Sequence, residues 1–517
     1  MYTLGDIPRK SALFHGNRMA VVFEGVRLTH REFNARVNRL ANALAARGID
    51  KADKVAILGE NSDRYLTAYF AAAKLGACVV PLNFRLSDEE LMHIVKDSEA
   101  GLLFAGDGYE QRALAICDRL ESAGPMVTLE NAVRGQHFLD ELIKNSPDTE
   151  PTAEVEEGDL AVLMYTGGTT GLPKGVMLSH RNLMTAATAM SVISGVRHSD
   201  STCFVLPLFH VSIWPVFLLL LAGGKVVINR KPDLGEILRL IADEKCTHMN
   251  LVPTVYAWLM EYPLAGQYDL SSLELLTYAG SPFPPETLKR CIERFGPLFA
   301  QGYGSTETAG GPVSFLPMED HQVPGPGSRL LASAGKAAVC SEVRIVDENG
   351  APLPPGEIGE VAVRGRHVMM GYWKNQDLTA KTLHNGWLHM GDMGFLDEEG
   401  YLFLVDRKAD MIVTGGENVY PQETENVLYG HEAVLECAVV SAPDLTWGER
   451  VQAVVVLKQG AKASAEELIA FCKTRLAGYK CPKSILFRDA LPKTPIGKIL
   501  RKDLKQEFWK DHKRSIG

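Results

Sequence analysis

The sequence predicts an α/β protein. A large N-terminal body of α/β subdomains plus a β-rich subdomain would be followed by a small α+β C-terminal domain. Three observations predict it. Over the first third, helix-type and strand-type runs alternate, which implies parallel sheet with helices on its faces. Around residues 340–406 the texture changes to strand-like runs, CSEVRIVDENG and EVAVRG, with turn signals at Asn349-Gly350 and Pro354-Pro355-Gly356. Beyond Asp406, helices and strands resume to the end of the chain. The expected boundaries are 1–406 and 407–517, with the β-rich subdomain at about 335–406. A length of 517 residues agrees with roughly two to four units at about 100–200 residues per domain.

The elements follow in order. Thr29-His-Arg-Glu32 is a capping box. Phe33, Val37, Leu40 and Leu44 then fall on one helical face, and Gly48 suits the stop. Lys54 to Leu58 is a short buried strand, and a helix is expected from about Asp63 to Leu75. Ser87-Asp-Glu-Glu90 opens another capped helix, and Leu102 to Ala105 is a strand. The least polar stretch, VSIWPVFLLLLAGG at Val211–Gly224, carries no charge. It falls short of the roughly 20 residues needed to cross a bilayer, so a buried helix is expected.

Bulk properties narrow the function. Hydrophobic content of 46% and charged content of 23% suit a globular chain with a large core. A net charge of −9 argues against a uniformly basic nucleic-acid surface. Anions would have to be held by local loops and a few placed cations. The nine cysteines form no CxxC pair; buried free thiols in a reducing compartment are expected. The N-terminus lacks the apolar core of a signal peptide. A cytoplasmic protein without a transmembrane segment is the expectation, and a homodimer is compatible with it.

The stretch Tyr165–Val176, YTGGTTGLPKGV, carries the first chemistry. It is not a Walker loop, because Lys174 follows Pro173 rather than glycine. A strand, Asp159 to Tyr165, feeds it, and Ser179 can start a helix after it. Strand, flexible loop and helix start make a geometry for an anion. Gly167, Gly168 and Gly171 let backbone amides turn inward. Thr166, Thr169 and Thr170 add hydroxyls, and Lys174 adds charge. Alone, the stretch also reads as an exposed turn.

Four further stretches reduce that alternative. Gln301-GYGSTETAG places an aromatic, a hydroxyl and a carboxylate close together. Trp387-LHMGDMG sets Asp392 between glycines, and Asp406-RKADMIVTGGENVYPQE puts Arg407 ahead of another glycine pair. Leu491-PKTPIGKILRK presents Lys498 after a glycine. In this order, from about residue 15 to 505, the stretches resemble the adenylate-forming superfamily: acyl-CoA synthetases, peptide-synthetase adenylation domains and firefly-type luciferases.

The resemblance implies an AMP-forming acid–coenzyme A ligase using ATP, Mg²⁺ and coenzyme A. Residues 1–406 would then bind ATP and the acid, and the resemblance implies that the small α+β domain, 407–517, is a mobile lid. By resemblance, Thr166 to Lys174 hold the β- and γ-phosphates and Tyr303 stacks on adenine; Gln301, Gly302 and Gly304 are further nucleotide-binding residues, Gly304 also lining the acid pocket. Thr306 would contact the α-phosphate. Glu307 would hold Mg²⁺, with Thr166 as a second oxygen. Asp392 and Arg407 would take the ribose, and Lys498 would bridge the substrate carboxylate and the α-phosphate.

The acid would lie near Leu206-PLFHVSIW. His210 matches an aromatic gate, Ser212 stands beside it, and Trp214 and Phe217 would sit deeper. Tyr278-AGSPFP, with Ala279, Gly280 and Ser281, would form the opposite wall. Amino-acid-activating relatives commonly place an aspartate near the His210 position; without it an ammonium would be costly to bury. A plain carboxylic acid follows, medium-chain, cyclic or aromatic. After adenylation the lid of coenzyme A ligases rotates, so Gly415 and Gly416 would pass pantetheine, and Arg85 and Trp447 would touch the nucleotide end of coenzyme A. Two positions depart from the family pattern: Gly168 where serine is frequent, and Ala409 where the hinge is usually Asp or Lys. The competing readings are transfer to a carrier-protein thiol, a luciferase-like oxidoreductase, and a non-catalytic nucleotide-binding protein.

Overall fold

The computed structural model describes residues 3–120, 125–168, 171–323, 326–408, 410–444, 446–493 and 499–510. The expected elements form where their local signals lie. The helix His30–Ala45 is closed by a Thr29–Glu32 capping box, and Asp88–Ser98 by a Ser87–Glu90 box. The helix Asp63–Leu75 ends on Gly76 at φ 74°, a left-handed cap that glycine adopts without penalty. The apolar stretch after Val211 becomes one 3₁₀ turn and the buried helix Trp214–Ala222. No helix among the described residues is long and apolar enough to cross a membrane.

Four sheets organise the described residues. The first has nine strands, and six neighbours run parallel: Phe299–Tyr303, Leu275–Tyr278, His248–Leu251, Ser201–Phe204, Lys225–Ile228 and Met19–Phe23. The second has eight strands around Lys54–Leu58 and Cys78–Leu82. Its strand Leu160–Gly168 turns back as an antiparallel hairpin with Gly171–Ser179. One continuous core joins both sheets to the helices His30–Ala45, Asp63–Leu75, His180–Ser194 and Trp214–Ala222. Those helices therefore lie between the sheets. The outer face of the first sheet packs on Leu234–Glu244, Pro253–Glu261 and Pro285–Phe295. The outer face of the second packs on Asp88–Ser98 and Glu110–Arg119. The body is thus five-layered, and parallel strands buried on both faces explain the continuous apolar runs in the sequence.

The β-rich subdomain is a five-stranded antiparallel sheet in which Trp387–Leu396 pairs with Gly359–Arg364, Leu383–His384 and Leu402–Arg407. The C-terminal unit is a separate five-stranded sheet. Helices Pro421–Tyr429 and Ala465–Lys473 cover one of its faces, and Arg501–Trp509 covers the other.

Four buried histidines, His30, His180, His321 and His367, have their pKa lowered to about 4, burial being the largest cause. An exposed imidazole titrates near about 6.5. The unfolded chain therefore takes up these protons first. Unfolding free energy should be flat above about pH 7 and fall as pH drops from about 6.5 towards 4, with the steepest part approaching about four protons bound on unfolding. Denaturant titrations across that range measure the slope; a flat profile down to pH 5 would contradict it.

Candidate active site

Parallel strands place their loops at one edge, and ligands in such sheets bind outside the carboxyl ends where strand order reverses. In the first sheet Ser201–Phe204 lies between Lys225–Ile228 and His248–Leu251, so the chain leaves it first to one side and later to the other. At that edge the loop bearing His210 follows Phe204, Val252 follows Leu251, Gly280 follows Tyr278, and Gly304 to Glu307 follow Tyr303. These loops open on a cleft of about 2230 Å³, whose other wall includes residues of the C-terminal unit.

The glycine-threonine stretch enters this cleft as a hairpin. Thr166 pairs with Lys174 and Gly168 with Gly171. A nine-residue strand, Gly171–Ser179, separates the stretch from the helix that begins at His180. The expected helix start beside the anion site is therefore corrected: that helix caps itself with Ser179 at the far end of the hairpin. Charge in the stretch comes from Lys174 instead, opposite Thr166. Its Nζ donates to the Tyr372 hydroxyl at 2.9 Å, lies 4.2 Å from the centre of that ring, and is 3.5 Å from Glu307. Tyr372 in turn donates to Glu307 at 2.8 Å. Burial and the nearby Glu307 push the Tyr372 pKa upward, so the hydroxyl keeps its proton.

Two hydroxyl oxygens in the cleft wall, Thr166 Oγ1 and Ser305 Oγ, are buried without a partner among the described residues. Such groups are costly unless something else bonds them. Together with Glu307 they are hard oxygen donors. Among the described residues no group of three or more His, Cys, Asp or Glu could hold a metal alone. One carboxylate beside hydroxyls and a lysine fits a Mg²⁺ ion that takes its remaining ligands from phosphate and water.

The expected sugar and base residues converge. Asp392 and Arg407 are opposed on neighbouring strands, with Arg407 Nε 3.7 Å from Asp392 Oδ1. The Tyr303 hydroxyl donates to Asp392 Oδ2 at 2.6 Å. Burial and Asp392 raise the Tyr303 pKa well above its ordinary value. Gln301, Gly302, Gly304, Thr306, Ala279 and Ser281 all line the cleft. Gly280 has φ 83°, a conformation open to glycine, and a Cβ there would come no nearer than 3.9 Å to Val252. Gly304 is fixed by packing as well, since a Cβ would collide with the Gly311 carbonyl.

On the acid side, His210, Ser212 and Trp214 line the cleft. The Ser212 amide donates to His210 Nδ1 at 3.2 Å, so the neutral ring carries its proton on Nε2. Phe217 is a correction. It is 1% exposed and packs on Tyr69 and Phe70, each at 5.9 Å, because one face of its helix must fill the core between the sheets. Arg85 is not in the cleft wall either; its guanidinium stacks on Phe84 at 4.8 Å and Phe209 at 5.9 Å. Trp447 is half exposed and lies against Gly415. Gly415 and Gly416, at φ 60° and 85°, form the two-residue turn between Ile412–Thr414 and Glu417–Val419, a geometry that itself favours glycine. None of these three lines the cleft. Lys498, Thr169, Thr170 and Ala409 lie outside the described residues.

Two features escaped sequence reasoning. Tyr372, in GYWK, carried no motif signal yet links Lys174 to Glu307. Arg501 stands three residues after Lys498 and carries no signal of its own. It joins the two units: its guanidinium donates to Asp406 Oδ1 at 2.8 Å and grips both oxygens of Glu425. Asp406 Oδ2 also accepts from the Gln422 amide at 3.0 Å, in the first turn of the helix Pro421–Tyr429. Ile499 to Lys502 thereby face the cleft.

Comparison with known proteins follows this geometry. The model of the AMP-binding enzyme family matches residues 9–373, and that of the AMP-binding enzyme C-terminal domain matches 423–498. A feruloyl-CoA synthase of Amycolatopsis sp is 39% identical, covering 98% of this chain and 99% of that protein. A fatty acid–[acyl-carrier-protein] ligase of Streptomyces coeruleorubidus is 37% identical, covering 96% and 95%. A crystal structure of an anthranilate CoA ligase with anthranoyl-AMP superposes with a TM-score of 0.91 at 29% identity, covering 98% and 97%.

Removing one partner of a buried charge cluster strands the others, typically at about 3–5 kcal/mol. Arg501→Ala should destabilise the C-terminal unit by that order. Arg501→Lys should recover part of the loss, because a single ammonium cannot grip both carboxylates as a guanidinium fork does. Thermal unfolding of the three proteins compares them; equal midpoints would contradict the junction's role.

Proposed function

This chain belongs to the AMP-binding enzyme family, and from that premise we propose how its cleft joins a carboxylic acid to coenzyme A. It is an AMP-forming acid–CoA ligase. The acid and MgATP give acyl-AMP and pyrophosphate, and the thiol of coenzyme A then gives the thioester and AMP. The single observation that carries the residue assignment is the Lys174–Tyr372–Glu307 cluster beside two unpartnered hydroxyls at the strand ends.

The obstacle is electrostatic. A carboxylate must attack an α-phosphorus that already carries negative charge. One carboxylate oxygen forms the new P–O bond while the bond to the β-phosphate oxygen breaks, and pyrophosphate leaves with the electron pair. Amides and hydroxyls of the hairpin Thr166 to Lys174 hold the β- and γ-phosphates and take up that charge. Thr306 sits at the α-phosphate. Mg²⁺, when bound, supplies further stabilisation of the phosphoryl charge, with Glu307 and Thr166 as its protein oxygens. Tyr303 faces the adenine, and Asp392 with Arg407 takes the ribose hydroxyls. Lys498 bridges the two reacting anions. Positioned cations of this kind are worth a few kcal/mol, roughly a hundredfold or more in rate. In the second half-reaction the sulfur attacks the acyl carbonyl and AMP departs. The lid would turn about 407–410 between the two steps, bringing Gly415, Gly416 and Trp447 inward.

The acid we propose is aromatic. Trp214 and His210 give the acid side two ring faces, and two similar proteins are named for feruloyl and anthranilate substrates. Free coenzyme A is the proposed acceptor, although one similar protein is named for a carrier protein; parallel assays with both thiols decide between them. Cytoplasmic location and homodimerisation are proposals of the same rank, checked by fractionation and by light scattering.

An acid panel scored by AMP release, with and without coenzyme A, tests the reading as a whole. Glu307→Gln should lower pyrophosphate exchange by about a hundredfold or more. Lys498→Ala should cripple acyl-AMP formation yet leave thiolation of supplied acyl-AMP largely intact; equal loss in both would contradict its bridging role. Trp214→Ala should shift preference towards bulkier acids, read as a change in kcat/KM across the panel.

A further inference from the structure

We infer that Tyr278 and His321 are positioning residues that decide which end of the Gln301 amide faces the cleft, and so make the site choose a 6-amino over a 6-oxo purine. The inference rests on the proposed placement of the adenine against Tyr303.

Tyr278 and Gln301 are direct partners on adjacent parallel strands. The Tyr278 hydroxyl lies 3.3 Å from the end of the Gln301 amide placed as Oε1 and 3.0 Å from His321 Nε2. His321 Nδ1 lies 2.8 Å from the Pro317 carbonyl oxygen. A carbonyl only accepts, so Nδ1 carries a hydrogen. His321 is 2% exposed, and burial keeps the ring neutral with a pKa of about 4. Nε2 is then a bare acceptor. The single hydrogen of the fully buried Tyr278 hydroxyl goes to it.

The Tyr278 oxygen consequently presents lone pairs to Gln301. The amide end at 3.3 Å must be the NH₂ group, since the two ends of a glutamine amide exchange by a half-turn and are assigned by their partners. A half-turn of the placed amide sends the carbonyl oxygen the other way, towards the cleft that Gln301 lines beside Tyr303. An acceptor there pairs with the amino hydrogens of adenine. Against the oxygen of a 6-oxo base it would set two acceptors face to face. The His321 ring is held edge-on to Tyr278, with centroids 5.7 Å apart at 89°, so the direction of the chain of bonds is set by packing.

The test uses the full-length enzyme, pyrophosphate exchange, and kcat and KM for ATP against inosine triphosphate. Tyr278→Phe frees the amide to rotate and should lower the ATP preference by about tenfold, the worth of one hydrogen bond, mainly through KM. His321→Leu leaves the Tyr278 hydrogen free to bond the Gln301 carbonyl. That turns the NH₂ group into the cleft and should move the preference further, towards the 6-oxo nucleotide. A merely structural role would lower both activities together without changing their ratio. Gln301→Ala separates the two readings. If it leaves the ratio unchanged, the base lies elsewhere and the inference falls with that placement. If it lowers the ratio while both other variants keep it, the base placement stands and the positioning role is overturned. Should Tyr278→Phe fail to fold, His321→Leu alone decides: an unchanged ratio overturns the role.

Discussion

The contact of Lys174 with Tyr372 and Glu307 holds together three stretches of chain that are far apart in sequence. Lys174 comes from the hairpin of the second sheet, Glu307 from the loop after a strand of the first, and Tyr372 from a short strand that extends the hairpin's own edge. An ammonium and a carboxylate in a partly closed cleft lose hydration, and their mutual attraction offsets that cost only in part. The cluster is therefore a weak source of stability. What it provides is placement: a positive and a negative group are held side by side in the cleft wall.

Around that point the architecture follows from burial. Two parallel sheets sharing one layer of helices leave their strand ends as the place where loops can be polar without disturbing the core. The helix Trp214–Ala222 shows the limit of this freedom. Trp214 at its start reaches the cleft, whereas Phe217, one turn later, is taken by the core. Residues one turn apart in one apolar run thus divide between the cleft wall and the core between the sheets.

The C-terminal unit meets the rest of the chain through a second charged junction. Arg501 and the helix Pro421–Tyr429 both hold Asp406, a residue that the β-rich subdomain already fixes by strand pairing. Asp406 thus belongs mechanically to both units. The arrangement turns Ile499 to Lys502 towards the cleft and leaves the Gly415-Gly416 turn out of its wall. These surfaces are the two that an alternating lid would exchange.

Much of this was legible in the residues alone, because the signals are local. Capping boxes at Thr29 and Ser87, the alternation of helix and strand, and the ordered stretches around Lys174, Glu307, Asp392 and Lys498 need no knowledge of distant contacts. The sequence by itself determined the fold class, the family and the chemistry of the cleft-lining groups. Tertiary structure alone decided that the glycine-threonine stretch is a hairpin set apart from the start of the helix that follows it, that Phe217 and Arg85 pack away from the cleft, and that Tyr372, His321 and Arg501 orient the groups that line it. The physical reason is that a motif records which groups are present along the chain. Which group each one meets is settled by packing between elements tens or hundreds of residues apart, and that information is spread over the whole core.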